Sequence, residues 1–162
     1  VGKRAPNPRP ARNAEATKLR VGVLVARYNA DVTAGLLRGA AKALAELGVK
    51  SKRVVVHEVP GCFELPLVAR ALAKSGRVDA VVALGCVIQG DTDHYQYVCE
   101  QTASGLMRAG LDAGIPVAFG VLTTKTHAQA LQRAKDDTSN KGAEAAAAAI
   151  ETALLLERIR KR

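Results

Sequence analysis

At 162 residues, 48% of them apolar and 24% charged, the chain is long enough to bury one core and too apolar to be intrinsically disordered. Its net charge of +9 sits mostly at the ends: residues 1–20 hold six Lys/Arg against Glu15, residues 157–162 hold four against Glu157, and the body between is close to neutral. A nucleic-acid surface would set cations on the folded body among stacking aromatics, so no specific nucleic acid is expected, and no apolar run reaches the length of a membrane span.

Aromatic residues make up only 3% of the chain and tryptophan is absent, which leaves Tyr28, Phe63, Tyr95, Tyr97 and Phe119 as the available stacking surfaces. Cys62, Cys86 and Cys99 are an odd, scattered set without CxxC spacing. They fit free thiols in a reducing, cytoplasmic setting, and together with three scattered histidines they suggest no metal site.

In chain order, residues 1–17 read as a basic Pro/Arg-rich arm without hydrophobic periodicity, ahead of a single domain over residues 18–162. Residues 19–26 end in the VGVLVA run of a strand buried on both faces, closed by Arg27, Tyr28 and Asn29. Val32, Leu36, Leu37, Ala40, Ala41, Leu44 and Leu47 then recur at helical spacing until Gly48. Residues 54–59 predict a second strand, turned by Pro60-Gly61. A short helix over 64–74 follows, with Pro66 tolerable only in its opening turn.

The third strand, 79–84, ends in glycine, and Val98, Thr102, Leu106 and Ala109 set a helix from after Thr92 to about residue 111. A fourth strand over 115–122, a helix over 126–134, a polar loop over 135–140 and an Ala/Leu-rich helix over 142–159 complete the chain. Helices alternating with apolar strands predict a three-layer α/β/α sandwich around a mainly parallel four-stranded sheet. Ligands of such sheets bind beyond the strands' carboxyl ends, here the corners at 27–31, 59–64, 85–94 and 119–126.

The corner Gly85-Cys86-Val87-Ile88-Gln89-Gly90-Asp91-Thr92-Asp93-His94 organises the rest. A core strand feeding a helix through small polar residues leaves free amides that attract an anion, with His94 in the first turn placed to move protons. The competing reading is an Asp or Thr cap beside an ordinary surface histidine. Tyr28 and Asn29 are suited to stack on a heterocycle and read its polar edge, or equally to cover the sheet end and cap a helix. Gly61, Cys62, Phe63 and Glu64 form a second such corner, where Glu64 either accepts from a hydroxylated ligand or stabilises a helix start. Cys62 is not read as a nucleophile, because no histidine is near it in sequence. His57 reads as a structural or partner-facing group and His127 as a surface one. Arg133 and Lys141 would singly be solvated cations, but in an oligomer they could reach an anion at Asp91 and Thr92.

In order and spacing, Arg27-Tyr28-Asn29, the run from Val59 to Pro66, the run from Leu84 to His94, Phe119-Gly-Val-Leu-Thr-Thr124, Gln129-Ala130 with Arg133-Ala134, and Asn140-Lys-Gly-Ala-Glu-Ala-Ala146 resemble the 6,7-dimethyl-8-ribityllumazine synthase family, over residues 19 to about 156. The resemblance implies a flavodoxin-like fold and no cofactor. It implies condensation of 5-amino-6-(D-ribitylamino)uracil with 3,4-dihydroxy-2-butanone 4-phosphate; a weakly catalytic lumazine- or flavin-binding protein, or a shell protein of the same fold, is the alternative. By the same resemblance Tyr28 stacks on the ring, and Asn29, Gly61, Cys62, Phe63 and Glu64 line the pyrimidine and ribityl region. Cys86, Val87 and Ile88 pack nearby, the Asp91 and Thr92 amides hold phosphate, and His94 transfers protons. Phe119, Arg133 and Lys141 come from a neighbouring subunit. The implied partners are the small-molecule substrates, further copies of the chain in a pentamer or a sixty-subunit shell of pentamers, and riboflavin synthase. The chain departs from the family pattern at Tyr28, where a ring without a hydroxyl is usual, at Gln89, where a basic residue is frequent, and at Cys62.

Overall fold

The structure is a computed structural model that describes residues 14–161. Four strands, β1 (Val21–Ala26), β2 (Val54–Val59), β3 (Ala80–Ile88) and β4 (Val117–Thr124), form one sheet in the order β2-β1-β3-β4, and every neighbouring pair is parallel. The helices are α1 (Ala30–Glu46), α2 (Leu65–Lys74), α3 (His94–Ala113), α4 (His127–Arg133) and α5 (Lys141–Arg160). Parallel neighbours need crossovers, and the helices supply them on both faces of the sheet.

Strand periodicity divides the core in two. Val21, Val23 and Val25 of β1, with Ala80, Val82, Leu84 and Cys86 of β3, face Leu36, Ala40 and Leu44 of α1 and Ala146, Ala149 and Ile150 of α5. The intervening Leu24, Ala26, Val81 and Ala83 meet Leu65 and Ala69 of α2 and Leu106 and Ala109 of α3. The alanine-rich sequence of α5 has a packing reason. A Cβ on Gly142 would stand 2.0 Å from the backbone oxygen of Leu36, so α1 and α5 meet at backbone distance.

The expected flavodoxin-like α/β/α sandwich is therefore present, with three differences in detail. β3 runs on to Ile88, so residues 85–88 are strand rather than corner, because Gly85, Cys86, Val87 and Ile88 pair with Val121, Leu122, Thr123 and Thr124 of a β4 that ends two residues later than predicted. Gly85 does not end the strand; a Cβ there would come 2.5 Å from Cys62 Sγ, so the glycine admits the 62–64 turn against the sheet. β2 is an edge strand exposed over residues 55–58, and its His57 is exposed rather than enclosed. Of the expected arm, residues 1–13 lie outside the described residues, while Ala14–Lys18 form a 3-10 turn with Ala16 fully buried.

At the amino end of the sheet, Arg20 and Asp79 tie β1 to β3. The Arg20 Nη2 and Nε donate to the Asp79 carboxylate at 2.8 and 3.1 Å, and the Arg20 backbone N–H adds a third bond at 2.8 Å. Burial alone would raise the Asp79 pKa, but these bonds outweigh it and hold the carboxyl below its usual value of 3.8. A folded-state pKa below the unfolded one stabilises the fold above the ordinary carboxylate range, and the gain disappears as pH falls through the lowered folded value. Asp79→Asn is thus expected to cost about 1 kcal/mol at neutral pH, a modest figure because the pair is partly solvated. In thermal melts across pH the gap from the wild type should close below pH 3.8.

Candidate active site

The sheet reverses its winding between β1 and β3, and a cleft beyond the carboxyl ends of strands is expected at such a point. Asn29 spans it. The residue takes the left-handed conformation (φ 57°, ψ 52°), which asparagine tolerates better than most, and its Nδ2 donates to the Cys86 carbonyl at 3.0 Å. The Arg27 N–H continues the ladder to the Val59 carbonyl at 3.0 Å, which brings the β2 corner alongside. There Tyr28 and Glu64 converge on Gly61: a Cβ at that position would lie 3.1 Å from Glu64 Oε2 and 3.2 Å from the Tyr28 ring. Tyr28 and Phe63 are 73% and 58% exposed, so two aromatic rings stand open on the rim that also carries the Glu64 carboxylate.

Cys62, in the same corner, is a packing group. Burial pushes its thiol up to about 12, and burial first, then the nearby Asp31 carboxylate, pushes Cys86 up to about 11. Neither forms thiolate at neutral pH. Cys99 is half-buried and raised as well, chiefly by burial. A thiol reagent at pH 8 should therefore label Cys99 first, leaving Cys62 and Cys86 unreacted until the protein is unfolded; mass spectrometry of the labelled peptides reads the order.

At the end of β3, Val87 and Ile88 are half-buried, and just beyond it the Gln89 N–H still pairs with the Thr124 carbonyl at 2.9 Å. Asp91, Thr92 and His94 are exposed. His94 is the first residue of the 20-residue helix α3, whose cap, Asp93, makes no side-chain hydrogen bond. No side-chain cap therefore covers the start of α3, where the positive end of the helix dipole lies beside the His94 imidazole. Gly90 has neither a positive φ nor any atom within 4 Å of where a Cβ would stand, so nothing within the chain itself requires glycine there. Tyr95, one of the stacking candidates, is half-buried, close to Cys99 of its own helix and Thr123 of β4.

Phe119, Arg133 and Lys141 gather elsewhere. They line an open groove of about 430 Å³ along the outer edge of β4, with Glu144 and Ala145 of α5. Arg133 Nη1 donates to the Gln129 carbonyl of its own helix at 2.9 Å, and Lys141 Nζ pairs with Glu144 Oε2 at 2.6 Å. Phe119 is not at a strand end, as the 119–126 corner implied. Its register partner is Ala83, whereas Ile88 pairs with Thr124, so Phe119 lies about 16 Å back along the sheet from the rim at the rise of a parallel strand. Within one chain the sequence-predicted residues fall into these two groups.

Thr102 escaped notice as a site-shaping residue. Its hydroxyl donates to the Cys62 carbonyl at 3.1 Å in the core and fixes the turn that presents Phe63 and Glu64. A hydroxyl within the apolar stripe of α3 was the signal for it. Glu144 also went unmarked, because a glutamate three residues after a lysine in a helix is common on solvated faces.

The fold and the groups gathered beyond its strands define a flavodoxin-like α/β protein with a candidate ligand site at the sheet's switch point. Residues 18–157 match the sequence model of the family described as 6,7-dimethyl-8-ribityllumazine synthase. The chain belongs to that family, and membership gives it an enzymatic role of the lumazine-synthase type in riboflavin biosynthesis.

Proposed function

We propose that the protein condenses 5-amino-6-(D-ribitylamino)uracil with 3,4-dihydroxy-2-butanone 4-phosphate to 6,7-dimethyl-8-ribityllumazine, releasing phosphate and two waters, in a site completed by a second copy of the chain. The observation that carries this reading is the placement of His94 as the first residue of an uncapped 20-residue helix at the end of the central strand β3. The Asp91 and Thr92 amides and the opening turn of α3 would receive the phosphate, where helix amides and dipole favour an anion. The unforced glycine at position 90 is consistent with a ligand approaching the backbone closely. Tyr28, Asn29, Gly61, Phe63 and Glu64 would hold the pyrimidine and its ribityl chain, with Val87 and Ile88 beneath the ring.

The amine attacks the ketone, the carbinolamine loses water, phosphate leaves, and ring closure expels the second water. Each step moves protons near neutral pH, the range for which imidazole is suited, so His94 serves as the shuttle. No covalent enzyme intermediate is required. Amine, ketone and leaving group already reside in the substrates, and holding them in register supplies much of the acceleration. Phe119 lies about 16 Å down the sheet from the rim of its own chain and shares the groove along β4 with Arg133 and Lys141, so in this reading the three serve the site of a neighbouring copy, in an oligomer of at least pentameric size.

Mixing the two substrates with the protein and following lumazine absorbance together with released phosphate tests the proposal. Coupled formation of both products well above the spontaneous rate is expected. No acceleration by assembled protein would favour the binding or shell alternative.

A further inference from the structure

We infer that Asn140 is a positioning residue that sets the spacing of the two groove cations, Arg133 and Lys141; the inference rests on the reading of that groove as part of a phosphate site. Arg133 is the last residue of α4 and Lys141 the first of α5, and the loop between them is polar and mostly exposed. Left to itself such a loop would let the two cations wander relative to each other. Asn140 is its buried polar residue, only 1% exposed.

Its side-chain amide joins four pieces of chain. Nδ2 donates to the carbonyls of Gly35 in α1 (3.1 Å), Ala134 just after α4 (3.1 Å) and Lys135 in the loop (2.9 Å). Oδ1 accepts from the Ala143 N–H (3.1 Å) and so caps α5. The bonded carbonyls begin one residue beyond Arg133, and the capped turn begins at Lys141. A single buried group therefore fixes the end of one cation-bearing helix and the start of the other against α1. The cradle fits closely: a Cβ on Gly39 would stand 2.0 Å from Asn140 Oδ1. Buried polar groups satisfied on every side hold one geometry, and loss of such a support loosens the groups it places.

Two variants separate positioning from folding. Asn140→Ser keeps an oxygen for the cap and removes both amide donors; Asn140→Asp keeps the cap and replaces the donors with a carboxylate. Asp79→Ala, at the opposite end of the sheet, serves as a control that lowers stability without touching the loop. Inorganic phosphate is titrated into the assembled wild type and each variant by calorimetry, alongside thermal melts. Phosphate affinity should fall roughly tenfold or more in both Asn140 variants, as expected when binding groups lose their fixed geometry, and stay at the wild-type level in Asp79→Ala despite its lower Tm. Where turnover is measured, KM for the phosphorylated substrate should rise in parallel while KM for the pyrimidine holds. No phosphate binding by the wild type, or wild-type affinity in the folded Asn140 variants, overturns the inference. Absence of condensation by a wild type that binds phosphate in this Asn140-dependent way would instead overturn the proposed reaction and leave the positioning role standing.

Discussion

Replacing His94 with alanine should lower kcat about 100-fold while leaving assembly and thermal stability at wild-type levels. General acid–base catalysis contributes about 10²–10⁴-fold, and the lower end applies here because a reaction driven largely by orientation keeps that part when the proton shuttle is removed. Stability should hold because His94 is exposed at the first position of α3 and belongs to neither half of the core. KM for both substrates should change little, since the helix amides and the ring pocket remain. Steady-state kinetics together with light scattering check all three expectations. Unchanged kcat would remove His94 from the chemistry.

Arg133→Ala should act in the opposite way. A charge-assisted contact to phosphate is worth about 2 kcal/mol, so KM for the phosphorylated butanone should rise about 30-fold, with KM for the pyrimidine unchanged. The guanidinium is already steadied by its bond to the Gln129 carbonyl, and the side chain lines the groove. Arg133→Lys should recover only part of the loss, because it restores the charge without the planar fork. On the proposed reading the uncharged Gln89 adds no cation to the phosphate site, which would leave the phosphate to Arg133 and the α3 amides.

The chain's strands and helices were legible because their periodicities are clean. The VGVLVA run of β1 pairs on both sides and is buried throughout, as a central parallel strand should be. The limits of β3 and β4 were not, since Gly85 and Thr123-Thr124 look like stop signals in isolation. Only the pairing of 85–88 with 121–124, together with the packing of Cys62 over Gly85, shows why strand continues through them. β2 is apolar enough to suggest burial, yet it forms the sheet edge, and strand order is a tertiary property that no local pattern carries.

The candidate site divides in the same way. Tyr28, Asn29, Gly61, Glu64 and His94 follow from the rule that parallel sheets gather ligands beyond their strand ends. The closeness of Tyr95 to Thr123, the bond from Thr102 to the Cys62 carbonyl and the hub at Asn140 depend on residues 28 to 105 positions apart along the chain, beyond the reach of any local reading.

Subunit complementation tests the division of the site between two chains most directly. His94→Ala and Arg133→Ala proteins are unfolded together in equal amounts, reassembled and assayed at a butanone phosphate concentration well below KM of the Arg133 variant. If each site takes His94 from one chain and Arg133 from its neighbour, random mixing restores intact pairs at about one interface in four, and activity should climb to about a quarter of wild type. Activity no greater than the average of the two parent variants would contradict the account.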